Sequence, residues 1–284
     1  MTNLVVALQA EARPIIEAFD LVQDRPAGMF PVYCNGGLSL VVSGIGRACC
    51  AAAVIHLFHR TAQRADQAWL NIGIAGHQQV PIGSVLLASR ITERASGRCW
   101  YPPYVLDIEL LRSPVVTVDE PERCYPQCCA YDMEASSFYQ IASRCSTGEL
   151  VQSLKIISDN PGSNLDFTAN QISQLLADQM SAIESVVGQL SDLSRVLDTV
   201  RTPPDLSFLY LEQWHFTVAQ RHQLAALLTR LKARSVQLPA VPGTSEYQDA
   251  SGVLTWLEGK LLAIPVNLSV PQGEDAADRV EQPS

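Results

Sequence analysis

Acidic side chains stand close to the ends of several apolar runs that resemble buried strands. Glu11 comes shortly after VVALQ, Asp119 directly after VVTV and Asp159 shortly after LKII, while Glu134 opens an apolar helical segment. In open α/β sheets, ligands bind beyond the carboxyl ends of the strands. Carboxyl groups gathered there suit general acid–base chemistry, because their environments can push their pKa values apart. One such acid alone would be interpreted as a helix cap, whereas several together favour a shared site.

The elements that must position these acids alternate along the chain. Short runs rich in Val, Ile and Leu, such as NLVVALQ, LSLVVSG and AWLNIGIAG, are each followed by a helical pattern or a glycine turn. This alternation predicts an α/β fold with a largely parallel, buried sheet. Glycine turns at residues 43–46 and 71–76 would let the backbone approach a ligand closely. Neither turn gives the GxGxxG motif of dinucleotide-binding proteins.

The same patterns divide the chain into four parts. Residues 1–195 are predicted to form the α/β domain, and residues 196–207, with paired prolines, a linker. Residues 208–270 follow as a small C-terminal α+β extension of unknown role, and residues 271–284 as a polar, disordered tail.

Two helix starts and one ambiguous segment refine this division. Thr168 with Gln171, and Thr217 with Gln220, have the spacing of a capping box. The segment GVLTWLEGKLLAIPVNL, residues 252–268, is compatible with a hairpin or with a short helix and a strand.

Composition excludes several classes of function. The 284 residues carry a net charge of −9, and they are 47% hydrophobic and only 17% charged. An acidic chain without a basic cluster is a poor partner for a nucleic acid polymer, and no apolar run reaches membrane-spanning length. The start, MTNLVVALQAEARP, lacks the basic residues of a signal peptide. We therefore expect a first strand there and a cytoplasmic protein.

Cysteine and histidine spacing predicts neither a metal site nor a cofactor. Three of the eight cysteines fall in CYPQCC, residues 124–129, but no CxxC pair or His-rich partner follows. In a reducing compartment we expect the cysteines to be small buried hydrophobes. A redox role for Cys124 or Cys128 is the alternative.

The order of motifs carries a family resemblance. ALQAEA, SGIGRACCAAA, NIGIAG with PIGSVLLAS, YDMEAS and KIISD follow one another in this chain. In that order they resemble the nucleoside phosphorylase/nucleosidase superfamily, the group of purine nucleoside and uridine phosphorylases. Among its branches, the chain is similar to methylthioadenosine/S-adenosylhomocysteine nucleosidases and to hopanoid-associated phosphorylase-like proteins. The resemblance covers about residues 3–190 and implies a three-layer α/β/α sandwich with a central mixed sheet.

The resemblance also implies an activity, cleavage of the N-glycosidic bond of a purine nucleoside or a 5′-modified adenosine, and roles for its residues. Glu11 matches the acid that activates water. Asp159 matches the acid that protonates, or hydrogen-bonds, the purine N7, and Ser158 would orient it. Met133 and Glu134 match the pair that contacts the ribose and binds its hydroxyls.

Further positions follow from the same comparison. Ile74 and Gly76 fall in the turn near the water or phosphate position. The aromatic residue that stacks on the base in the nucleosidases is missing after VVTVDE, which leaves Tyr131, Trp100 or Tyr101 as candidates for that contact. The family also implies a homo-oligomer and a small-molecule nucleoside as partner.

Three functions stay open at this point. An apolar Ile74 cannot help to bind an anion, which favours hydrolysis over phosphorolysis. Arg13 and Arg47 could still supply positive charge, so a phosphorylase that uses phosphate is the second hypothesis. A nucleoside-binding partner protein that has lost turnover is the third.

Overall fold

The computed structural model describes residues 1–24, 28–61, 64–163, 167–201, 207–234, 240–243 and 245–264. The chain divides into two compact units, Met1–Thr199 and Val200–Ser284. Each unit is described by itself below. The predicted tail, residues 271–284, lies outside the described residues.

The first unit is a mixed sheet with helices. Its strands are β1 Thr2–Val6, β2 Val22–Gln23, β3 Val32–Asn35, β4 Leu38–Val42, β5 Ala68–His77, β6 Val85–Glu93, β7 Cys99–Trp100, β8 Leu111–Thr117, β9 Ala130–Asp132 and β10 Val151–Asp159. Its helices are α1 Gln9–Ala18, α2 Arg47–Arg60, α3 Ala135–Cys145, α4 Ala169–Asp178 and α5 Met180–Arg201, with a 3-10 turn at Gly148–Leu150.

The sheet is partly closed on itself. β1 pairs in parallel with β4 and β5, and β5 pairs in parallel with β10. β10 then pairs with β6, β6 with β8, β8 with β9, and β9 returns to β5, so that five strands form a ring. The mixed α/β character predicted from the sequence is confirmed. The longest ladders, β5–β10 and β6–β8, are parallel, while the closing pairs β10–β6 and β5–β9 and the edge pairs of β2, β3 and β7 are antiparallel, so the sheet is mixed.

Alternation along β1 shows where the cores lie. Leu4 and Val6 belong to an apolar cluster that includes Ile15 of α1 and Leu176 of α4. Val5, between them, belongs to a second cluster, which contains side chains of α2 and α3. Since successive strand residues point to opposite faces, helices cover both faces of β1. The sheet edge beyond the carboxyl ends of β1, β5 and β10 is left for the loops.

Helix ends follow the predicted signals in part. Thr168 caps α4 and forms a capping box with Gln171. α5 continues to Arg201, into the range 196–207 that the sequence assigns to a linker. None of the described helices is long and apolar enough to cross a membrane.

The described part of the second unit is helical. It contains α6 Phe208–Leu211, α7 Val218–Arg234 and α8 Ala250–Ala263, packed around Trp214 and Leu224. The prediction of an α+β extension is wrong for the described residues of this unit, none of which lies in a strand. Residues 252–263 of the ambiguous segment lie in α8, which Asp249 caps by accepting a hydrogen bond from Gly252 N at 2.8 Å. Its buried positions also recur with helical spacing.

Most of the cysteines are not buried, contrary to the prediction. All eight are free thiols, and only Cys50, Cys129 and Cys145 are buried. Cys49 is exposed in the first turn of α2, and Cys99, Cys124 and Cys128 are exposed as well. Apolar neighbours in the sequence do not ensure that a side chain is buried, because the helix or loop that carries it sets its direction.

Candidate active site

A cavity of about 280 Å³ opens beside the ends of β5 and β10. All eight residues predicted as site residues line it: Glu11, Ile74, Gly76, Tyr131, Met133, Glu134, Ser158 and Asp159. These residues come from four separate segments of the chain. Five carboxylates are among the described lining residues: Glu11, Glu134 and Asp159, and in addition Glu122 and Asp132. These described lining residues contain no Lys, Arg or His.

Glu11 is held by three backbone donors. Ala7 N and Leu8 N each donate to its Oε2 at 2.9 Å, and Ile74 N donates to Oε1 at 3.0 Å. The side chain is 2% exposed, and burial raises its pKa, against the opposing effects of these hydrogen bonds and of Lys155. Glu11 thus caps its own helix and also faces the cavity. A carboxylate has about four acceptor positions, so about one stays free.

Close packing of β5 against Glu11 favours a glycine at position 73. A Cβ atom at Gly73 would lie 3.1 Å from Glu11 Oε1 and 3.6 Å from Lys155 Nζ. The Ile74 side chain contributes apolar surface to the cavity, while its N–H holds Glu11. This corner of the cavity is therefore built around the Glu11 carboxylate.

Lys155 is a component that the sequence analysis missed. Its side chain is fully buried on β10, and Nζ lies 2.8 Å from Asp132 Oδ2. Burial acts to lower the pKa of Lys155, but Asp132, Glu134 and Glu11 outweigh it and raise that pKa, so the ammonium stays charged. The signal in the sequence was a single charged residue inside the apolar run SLKIIS. Such a run predicts a buried strand, and a buried lysine is almost always paired with an acid.

Asp132 fixes the turn between β9 and α3 through both of its oxygens. Its Oδ2 accepts a hydrogen bond from Ala135 N at 2.7 Å, which caps α3, and its Oδ1 accepts one from Thr117 Oγ1 at 2.7 Å. Together with the Lys155 contact, these bonds fix the strand-to-helix turn that carries Met133 and Glu134.

Glu134 turns back toward the glycine turn that precedes α2. Gly46 N donates to Glu134 Oε1 at 2.7 Å. Burial, followed by the charge of Asp132, raises the pKa of Glu134 to about 7. Three buried carboxyl groups thus share one buried ammonium, and Glu134 is a group that holds a proton near neutral pH.

Asp159 is fixed through both of its oxygens. Ser158 Oγ donates to Oδ1 at 2.5 Å, and the hydroxyl of Tyr125 donates to Oδ2. A Cβ atom at Gly76 would collide with the Asp159 carboxylate and lie 2.5 Å from Tyr125 Cε1. Only glycine fits there, which gives Gly76 a steric role beside the acid. Sequence analysis missed Tyr125, which lies in an irregular segment without periodicity.

Two of the three aromatic residues considered for stacking on the base lie outside the cavity. Trp100 and Tyr101 do not line the cavity, and Tyr101 is 68% exposed. Tyr131 does line it, but the guanidinium of Arg94 lies over its ring at 5.3 Å. Phe167 was not predicted, and it adds a half-buried ring to the same lining.

The two arginines considered for phosphate binding lie elsewhere. Arg13 is exposed and does not line the cavity. Arg47 donates to Asp119 Oδ1 at 2.7 Å and pairs with Glu93, so its charge is already neutralised.

Comparisons with known proteins agree on the fold. No protein-family model matches the chain, and no curated protein matches its sequence. Among solved structures, the chain is similar to a 5′-methylthioadenosine/S-adenosylhomocysteine nucleosidase from Colwellia psychrerythraea in complex with adenine, with 16% identity and a TM-score of 0.55 over 66% of this chain and 95% of that one. It is also similar to the futalosine hydrolase of Helicobacter pylori, with 16% identity and a TM-score of 0.54 over 66% and 97% of the two chains.

A plant protein has a similar fold. The apo 5′-methylthioadenosine nucleosidase of Arabidopsis thaliana matches with 17% identity and a TM-score of 0.54, over 68% of this chain and 95% of that one. At such identities the likeness establishes the fold. The resemblance to nucleosidases that the motif order predicts is confirmed at that level.

Proposed function

We propose that this protein hydrolyses the N-glycosidic bond of a purine nucleoside or a 5′-modified adenosine. The observation that carries the proposal is the convergence of Glu11, Glu134 and Asp159 on one cavity from three distant segments. The fold shared with nucleosidases supports it, although fold alone does not determine function.

Asp159 is the group proposed to assist departure of the base. As the bond between C1′ and the base nitrogen breaks, its electron pair moves onto the base. A proton passed from the carboxyl group to the base neutralises that charge. The donors from Ser158 and Tyr125 hold the carboxyl group in place for this transfer.

Glu11 is proposed as the base that activates water. Glu11 lines the cavity with about one free acceptor position, and a pKa raised by burial makes its carboxylate a stronger base. It takes a proton from water while the water oxygen bonds to C1′. The Lys155 ammonium lies on the same side of β5 as Glu11 and favours the ionised form of that carboxylate.

Glu134 and Met133 are proposed to hold the ribose. In its ionised form Glu134 accepts hydrogen bonds from sugar hydroxyls, and its negative charge favours the positive charge that develops on the sugar. The half-buried Met133 side chain supplies an apolar contact in the same cavity.

Hydrolysis is favoured over phosphorolysis by the charges of the cavity. A phosphate would face five carboxylates and no cation among the described lining residues. Arg47 is already paired with two acids. Anion binding in proteins normally uses Arg, Lys or a set of free backbone N–H groups, and the Ile74 N–H is occupied by Glu11.

The test is base release by the full chain from adenosine, inosine, 5′-methylthioadenosine, S-adenosylhomocysteine and futalosine, with and without inorganic phosphate. We expect release that does not depend on phosphate and that yields the free sugar. Release only with phosphate, accompanied by a sugar 1-phosphate, would establish a phosphorylase. Tight binding of a nucleoside without release would establish a binding protein.

A further inference from the structure

Tyr125 is buried in the wall of the cavity, and none of the roles that the family resemblance implies falls on it. Its side chain is 1% exposed and packs with Val116, Val118, Cys129 and Tyr131. The rings of Tyr125 and Tyr131 meet edge to face, with centroids 5.8 Å apart at an angle of 75°. The ring therefore has little freedom to move.

The backbone of Tyr125 is also unusual. Its φ angle is +44°, in the left-handed region that non-glycine residues seldom adopt. Such a conformation persists only where the surrounding structure enforces it, and it is most common at functional sites. At Tyr125 it directs the ring into the site, where the hydroxyl reaches Asp159 Oδ2.

The space for this contact is provided by Gly76. Any side chain there would overlap both Asp159 and the Tyr125 ring. Gly76, Tyr125 and Asp159 are thus mutually fitted, although they come from three different segments.

The Tyr125 hydroxyl keeps its proton. Burial, together with the hydrogen bond to Asp159 and the charge of that group, raises the pKa of Tyr125 far above its usual value. The phenol is therefore a fixed donor and not itself a proton source for the leaving base.

We propose that Tyr125 is a positioning residue that stabilises Asp159 as it gives up its proton. This inference rests on the proposed nucleosidase function. When the glycosidic bond breaks, the Asp159 proton moves to the base nitrogen and the carboxyl group becomes negative. The Tyr125 hydrogen bond then becomes charge-assisted and stronger. A donor aimed at charge that develops only during the reaction lowers the barrier without tightening substrate binding.

The experiment compares the wild-type protein with Tyr125→Phe, using the nucleoside that the wild type cleaves fastest. We expect kcat to fall about 10-fold to 100-fold, the range for loss of a supporting hydrogen bond, with KM changed little. Tyr139→Phe is the matched control, since it removes a hydroxyl from a buried tyrosine of α3 outside the cavity.

A second variant covers the case in which Tyr125→Phe folds poorly. Site-specific 3-fluorotyrosine at position 125 keeps the ring and makes the hydroxyl a stronger donor. Its kcat should then stay at or above the wild-type value, opposite to the loss in Tyr125→Phe. A Tyr125→Phe variant with the kcat of Tyr139→Phe, or a fluorotyrosine variant with a kcat as low as that of Tyr125→Phe, would overturn the role of Tyr125 alone. A wild-type protein that releases no base from any nucleoside would instead overturn the proposed function, and this inference with it.

Discussion

Lys155 Nζ lies 2.8 Å from Asp132 Oδ2, and both side chains are completely shielded from solvent. The pair connects β10, which carries Ser158 and Asp159, to the turn that carries Met133 and Glu134. It is the only ion pair with both partners fully buried among those between described residues. A buried ion pair contributes little net stability, but loss of one partner leaves the other charge uncompensated.

Lys155→Met should therefore destabilise the protein strongly. We expect the free energy of unfolding to fall by about 3–5 kcal/mol in urea denaturation followed by circular dichroism. The double variant Lys155→Met/Asp132→Asn should recover only part of that loss, because it removes one of the three carboxyl charges that share the ammonium and keeps only one of the two acceptor oxygens of Asp132. Arg195→Met is the control, since its pair with Asp192 is 73% and 68% exposed and should contribute at most about 1 kcal/mol. Equal losses in the buried and exposed variants would argue against this account.

Asp159→Asn should abolish most turnover and leave the fold intact. The amide is of similar size but cannot donate an acidic proton, and general acid catalysis typically contributes about 10²–10⁴-fold. Steady-state base release measures the effect, and circular dichroism checks the fold. Asp192→Asn, at an exposed position, should retain full activity. If Asp159→Asn kept more than half of the wild-type kcat, another group would have to protonate the base.

The activity should depend on pH through Glu134. Its pKa is raised to about 7, so its ionised, hydroxyl-binding form is lost as the pH falls through that value. We expect kcat/KM, which reports the free enzyme, to decrease on the acid side with a midpoint near pH 7. Glu134→Gln should have a low kcat/KM without this limb. A wild-type profile that stays flat from pH 6 to pH 8 would contradict the assignment.

The same group should link stability to pH. Because the pKa of Glu134 is higher in the folded than in the unfolded state, the folded state binds more protons between about pH 4.5 and pH 7. Stability from this group is therefore complete at low pH and is lost as the pH rises through that window. At pH 8, Glu134→Gln should be more stable than the wild type by about 1–3 kcal/mol, measured by urea denaturation. The difference should vanish near pH 4; a difference that is the same at both pH values would have another origin.

Phe167→Ala should weaken substrate binding. We expect the ring of Phe167 to stack on the base, a contact that contributes about 1–3 kcal/mol. Its loss should raise KM about 5-fold to 100-fold, while kcat changes less. Phe167→Tyr keeps the ring and should restore the wild-type KM. Phe208→Ala, at a half-exposed ring of the second unit, serves as the control. An unchanged KM in Phe167→Ala would mean that Phe167 does not contact the base.

The sequence by itself determined the features that depend on local pattern and on chain order. Alternating apolar runs and helical segments predicted the mixed α/β fold, and the capping-box spacing predicted the start of α4 at Thr168. The acids near strand ends were predicted to share one site. Glu11, Glu134 and Asp159 do line a single cavity, whereas Asp119 does not and pairs with Arg47 instead. This was possible because the rule that ligands bind beyond the carboxyl ends of strands turns chain order into spatial proximity.

Only the tertiary structure decided which side chains touch one another. Lys155 meets Asp132, and Tyr125 meets Asp159 from 34 residues away, through packing between segments with no common periodicity. Likewise, the exposure of Cys124 and Cys128 depends on the direction taken by an irregular loop. Sequence patterns report the face on which a residue lies within its own element. Contacts between elements, and the charges and pKa values that follow from them, are determined by how those elements pack.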